Sequence, residues 1–111
     1  MLQLHESNFY LGKTKMSALF PLLLDAYELE ENQNICCVQD ALLEIGWVSR
    51  YNGIGALTGL LPIRDMTDVE AHGLFSVIAG HVKPGSSLVF RDQEAFKEYT
   101  WTFDGTVATR S

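Results

Sequence analysis

The C-terminal quarter of the sequence restricts the fold most strongly. The aromatic residues Tyr99, Trp101 and Phe103 alternate with threonines, which is the period of a strand with one buried face. The turn sequences Lys83–Ser86 and Asp104–Gly105 occur on either side of this region. The pattern predicts a closing β-meander with its aromatic side chains in the core, formed by Ser87–Arg91, Glu98–Phe103 and Thr106–Thr109.

A helix with a clear start precedes the meander. Thr67 and Glu70 have the spacing of a capping box, and Asp68 lies at the positive end of the helix dipole. Gly80 is expected to end this helix. Its apolar residues recur at helical spacing, at Ala71, Leu74, Phe75, Ile78 and Val82.

Two more helices are predicted in the first half. Ser17 is expected to cap a helix that reaches about Leu29, with Pro21 tolerated in its first turn. The next helix is expected to begin at Asn34 or Cys36 and to end at Ile45. Gly46 then supplies a left-handed cap. A hairpin then follows, in the order Trp47–Tyr51, the turn Asn52–Gly53, and Ile54–Leu57.

These elements predict an α+β fold. A short strand or two is expected before Gly12, and no linker or repeat divides the chain. We therefore expect residues 1–111 to form a single domain, with about three helices packed on one face of an antiparallel sheet that ends in the meander.

The adjacent residues Cys36 and Cys37 do not suggest a disulfide framework, because a bond between neighbours closes a strained ring. We expect inert thiols, at least one of them buried. No ligand spacing predicts a metal site, and no motif predicts a cofactor. The apolar run Ala18–Leu24 is too short to span a bilayer, and the N-terminus does not have the pattern of a signal peptide, so a cytoplasmic location is expected.

The net charge of −6 comes from one segment. From Met16 to Ser49 the chain has no Lys or Arg, whereas acids and bases nearly balance elsewhere. Such a segment repels nucleic acid and anionic membranes and attracts a basic protein surface. One interpretation is that these acids form the solvated outer faces of two amphipathic helices. Such a face usually mixes both signs, however, which favours a binding role here. The six acids are Asp25, Glu28, Glu30, Glu31, Asp40 and Glu44.

Part of the sequence resembles a known group of proteins. Gly85–Arg91 followed by Tyr99–Gly105 is similar to the closing hairpin of small bacterial immunity-type proteins, which are encoded beside toxins. Ala41–Trp47 is similar to the helix end that precedes this hairpin in those proteins. The resemblance covers about a third of the chain. It implies a non-catalytic protein that neutralises a toxin.

We therefore expect a non-catalytic binding protein that neutralises a basic, nuclease-type toxin. Its contacts would come from the six acids, with Tyr27 as an apolar anchor. Two alternatives remain open at this point: a phage-type inhibitor that mimics nucleic acid on a host nuclease, and a small enzyme that uses a histidine beside an acid. For the latter, His72 lies one helical turn after Asp68.

Overall fold

Six strands and three helices make up the fold. The computed structural model describes all residues 1–111. Short 3-10 turns at Lys13–Lys15 and Ala79–His81 lead into the first helix and out of the third. The elements in chain order are β1 (Leu2–Asn8), α1 (Met16–Ala26), α2 (Val38–Ile45), β2 (Trp47–Tyr51), β3 (Leu57–Pro62), α3 (Asp68–Ile78), β4 (Ser87–Asp92), β5 (Lys97–Phe103) and β6 (Ala108–Arg110).

The strands form two antiparallel sheets. The larger sheet has the order β1-β4-β5-β6, and β2 pairs with β3 in a separate hairpin. The α+β class and the C-terminal meander are thus confirmed, with the strands divided between two sheets. No helix has the length and apolar character needed to cross a bilayer.

Aromatic side chains join the two sheets and α3 in one core. Phe75 of α3 lies 5.0 Å from Trp101 of β5 and 5.6 Å from Trp47 of β2, measured between ring centroids. Trp101 donates a hydrogen bond from Nε1 to Nδ1 of His72 at 3.1 Å, so its buried indole N–H is satisfied. The expected inward orientation of Trp101 and Phe103 is confirmed, and Tyr99 is half-buried.

The boundaries of α1 differ from the prediction. Its N-cap is Lys15, without a side-chain hydrogen bond, so Ser17 lies inside the helix and Pro21 lies beyond its first turn. The helix ends in a Schellman motif: Leu29 N–H donates to Leu24 C=O at 2.8 Å, and Glu28 has φ +53°. Glycine usually occupies that position, and its absence from the sequence concealed the end of the helix.

The hairpin after α2 also differs from the prediction. Gly46 ends α2 in the left-handed conformation, as predicted, with φ +115°. The following turn is longer than Asn52–Gly53, because the Asn52 side chain accepts hydrogen bonds from the N–H groups of Ile54 and Ala56. The returning strand is therefore β3, Leu57–Pro62, rather than residues 54–57.

Local hydrogen bonds set the starts of α3 and β6, and the extended conformation of Cys37 sets the start of α2. The capping box of Thr67 and Glu70 is present as predicted. Cys37 is the extended N-cap of α2, which therefore starts later than expected. Asp104 Oδ1 accepts from the N–H groups of Thr106 and Val107, both at 2.8 Å, so the turn extends further than predicted and β6 begins at Ala108.

Candidate protein-binding surface

The predicted contact residues occupy α1, α2 and the loop between them. Asp25 lies in the last turn of α1, and Asp40 and Glu44 lie one turn apart on α2. The two helices pack against each other. The remaining members come from the connecting loop, and we call the whole set the acidic surface: Asp25, Tyr27, Glu28, Glu30, Glu31, Asp40 and Glu44.

None of the six carboxylates in the acidic surface forms an ion pair. Asp40 is partly buried, and the other five acids are exposed. Those five side chains accept no hydrogen bond from the protein either, whereas Asp40 accepts from Cys36. No ion pair within the protein neutralises these charges, which leaves a local negative potential.

Three of the acids border a single depression. Asp25, Glu28 and Glu30 line an open hollow of about 500 Å³ at the C-terminal end of α1. Its floor is apolar, because Leu24 and Leu29 meet there through the Schellman motif. Pro21 completes the lining. An apolar floor with an acidic rim suits a side chain that combines a hydrocarbon stem with a positive charge.

The start of α2 holds its two thiols in an anionic setting. Asp40 Oδ2 accepts from the backbone N–H of Cys36 at 3.1 Å and from its Sγ at 3.3 Å. The backbone hydrogen bond lowers the pKa of Asp40. The hydrogen bond and charge of Asp40 raise the pKa of the Cys36 thiol, and the charge of Glu31 acts in the same direction. A protonated thiol is a poor nucleophile.

The expectation of a buried cysteine is wrong. Cys36 and Cys37 are both free and exposed. The reason is the late start of α2: Cys37 is in extended conformation at the N-cap, with φ −154°, and Val38 is the first residue of the helix to enter the core.

Tyr27 is only partly available as an anchor. Its ring is half-buried against the core, and this burial raises its pKa. Two exposed leucines on the same helices were missed by the sequence analysis: Leu22 on α1 is 41% exposed and Leu43 on α2 is 52% exposed. Leu22 fits the apolar period of α1, so its sequence signal favoured the core. Leu43 lies three residues after Asp40 and so shares the polar face of α2, which is the signal that could have placed it outside.

The charges at the two ends of α1 oppose its dipole. Lys13 and Lys15 immediately precede its positive end, and no acid lies in its first turn. Asp25 and Glu28 lie at its negative end, and no base lies in its last turn. Such placements destabilise a helix by roughly 0.3–1 kcal/mol for a charge near either end. Helix stability therefore does not explain these residues.

The histidine and acid considered for catalysis do not form a pair. Asp68 pairs with Arg110, and His72 accepts the indole hydrogen bond of Trp101. On the largely exposed strand β1, His5 Nε2 lies 3.9 Å from Oε1 of the adjacent Glu6. The hydrogen-bond partner of His72 is 29 residues away in the chain, so sequence spacing could not identify it.

Comparison with protein-family models, with curated proteins and with solved structures found no significant match. The resemblance of the closing hairpin to immunity-type proteins stays a prediction.

Proposed function

We propose that this protein binds a basic protein through the acidic surface and, as an immunity-type inhibitor, neutralises a nuclease-type toxin. This proposal rests mainly on one observation: none of the six carboxylates of the acidic surface forms an ion pair within the protein. A cationic partner would supply the missing counter-charges. A nuclease has a cationic groove for phosphates, and an acidic protein surface can occupy that groove.

The unfavourable placement of charge at the end of α1 supports this proposal. Asp25 and Glu28 oppose the helix dipole, and Glu28 also adopts a positive φ that an L-residue rarely takes. An arrangement that does not favour folding is consistent with selection for binding. A basic partner would turn the same local repulsion into attraction.

Charge alone steers encounter, and a lasting complex also needs desolvated apolar contacts. Leu22 and Leu43 are the large exposed apolar side chains on α1 and α2. The hollow floored by Leu24 and Leu29 would receive a stem from the partner. The acids then act mainly on the association rate, and the leucines act mainly on the dissociation rate.

The test begins with capture of partners from the native host by three proteins of matched design. The triple variant Glu28→Gln, Glu30→Gln, Glu31→Gln removes three charges from the acidic surface. The control Asp65→Asn, Glu94→Gln, Glu98→Gln removes three charges elsewhere and has the same net charge. We expect a basic protein that the parent and the control retain and the triple variant loses.

Stopped-flow association with that partner then measures the electrostatic contribution. We expect the rate constant to fall by at least about tenfold as salt is raised from low to high concentration. The triple variant should associate more slowly than the control at low salt. One equivalent of the parent should also stop nuclease activity. A rate indifferent to salt, or equal rates for the two variants, would refute the role of the acidic surface.

A further inference from the structure

A second charged site lies at the opposite end of α1 from the acidic surface. An open cavity of about 730 Å³ forms where four parts of the chain meet: residues 10–15, the loop tip at Ile54, residues 80–84 and the turn at Gly105. Its size lies within the range of pockets that hold small organic ligands. No acidic residue lines it.

The cavity gathers three of the chain's four lysines. Lys13, Lys15 and Lys83 line it, and none of them forms an ion pair. Concentration of unpaired cations in one concave place is unexpected in a chain with net charge −6. The three ammonium groups repel one another there, and a bound anion would relieve that repulsion.

Local contacts hold two of these lysines in place. Lys83 Nζ lies 5.6 Å from the centroid of the Tyr10 ring. The stem of Lys13 packs over Gly55, where a Cβ would approach Lys13 Cδ to 3.1 Å, and Gly55 has φ +83°. Ile54, Val82 and Pro84 also line the cavity, so its positive charge lies along an apolar wall.

His81 adds an independent observation. His81 is one of the lining residues, and its Nδ1 is buried without a hydrogen-bond partner. No other buried side-chain nitrogen or oxygen in the protein lacks a hydrogen-bond partner. Native proteins rarely leave such an atom unpaired, and those that do so often have a functional reason at that place.

From this cavity we infer a binding site for a phosphorylated small molecule of about nucleotide size. Lysine binds phosphate as a point charge, and three lysines match the roughly two negative charges of a phosphate group better than the single charge of a carboxylate. The positive end of the α1 dipole favours the same anion. A nucleic acid chain is disfavoured, because its other phosphates would face a protein with net charge −6.

The test is calorimetric titration of the full chain with ADP. We expect saturable binding of one ADP with a dissociation constant below about 1 mM. Inorganic phosphate should displace ADP only at much higher concentration, because it does not contact the apolar wall. A ten-nucleotide single strand of thymidylate should bind more weakly than ADP. Absence of saturable heat, equal affinity for phosphate, or tighter binding of the oligonucleotide would each overturn the assignment.

Two double variants with equal charge changes locate the site. Lys13→Gln with Lys83→Gln should weaken ADP binding by about tenfold or more. Arg50→Gln with Lys97→Gln removes two charges outside the cavity and should weaken it by less than about twofold. Urea unfolding of all proteins separates lost binding from lost folding. Equal weakening by the two variants would show that net charge, and not the cavity, attracts ADP.

Discussion

The acids of the acidic surface and those of the rest of the molecule are used in different ways. Outside Met16–Ser49 there are eight acids, and each has a partner in the structure. Six pair with an arginine or the N-terminal amine, Glu6 lies beside His5, and Asp104 accepts two backbone N–H groups. The six acids within that segment form no ion pair, and only Asp40 accepts a hydrogen bond.

Each exposed ion pair adds little stability, so the difference between the regions does not lie mainly in folding energy. It lies in the electric field. The negative potential of a paired acid is cancelled by its cationic partner at distances beyond a few ångströms. The potentials of unpaired acids on neighbouring helices add together. The comparison indicates that the fold depends on the buried face of α1 and α2, and that their acidic face is exposed and unpaired.

The largest expected effect separates the two faces of α2. Leu42 is 1% exposed, so Leu42→Ala should lower the free energy of unfolding by about 3 kcal/mol through lost burial and a cavity. Glu44→Gln on the outer face should leave that free energy nearly unchanged or slightly raised. Urea unfolding at neutral pH measures both. A large loss for Glu44→Gln would mean that the acidic face does stabilise the fold.

The next effect concerns acid sensitivity. Hydrogen bonds from the backbone N–H groups of Thr67, Ala95 and Val107 lower the pKa values of Glu70, Asp92 and Asp104, respectively. Each carboxylate therefore stabilises the fold above its unfolded pKa of about 4, and this contribution is lost as pH falls through the lower folded value.

The variant Glu70→Gln, Asp92→Asn, Asp104→Asn should accordingly lose less stability than the parent between pH 7 and pH 3. Urea unfolding across that range is the measurement. The matched variant Asp25→Asn, Glu30→Gln, Glu44→Gln changes carboxylates without hydrogen-bond partners and should keep the slope of the parent. Parallel curves for the first variant and the parent would contradict the role of these hydrogen bonds.

A smaller effect compares the starts of α3 and α1. Thr67→Ala removes one half of a capping box and should cost about 1 kcal/mol, which lowers Tm by roughly 4 °C. Ser17→Ala should have almost no effect, because Ser17 lies inside α1 and does not cap it. Thermal unfolding followed by circular dichroism compares the two. Equal losses would mean that Ser17 does cap α1.

The smallest effect tests the two non-glycine residues with positive φ. Glu28 and Phe96 both have φ +53°, so Glu28→Gly and Phe96→Gly should each stabilise the protein, by about 0.5 kcal/mol. Only Glu28→Gly should also slow association with a basic partner, because Phe96 lies outside the acidic surface. Equal slowing by both would assign the effect to the backbone and not to charge.

Local patterns in the sequence predicted much of the fold. The capping box of Thr67 and the left-handed Gly46 depend on hydrogen bonds among near neighbours, and the aromatic residues of β5 alternate with the period of a strand that has one buried face. The errors occurred where a side chain replaced the usual signal. Asn52 and Asp104 extended their turns by accepting backbone N–H groups, and Glu28 took a position that glycine usually holds.

The sequence by itself determined where the negative charge is concentrated, because a segment without Lys or Arg has no cation within reach of its own helices. Only the tertiary structure decided that no arginine from elsewhere forms an ion pair with those acids. It alone also brought Lys13, Lys83 and His81 to one cavity and paired His72 with Trp101. Such contacts depend on how distant segments pack, which no local spacing encodes.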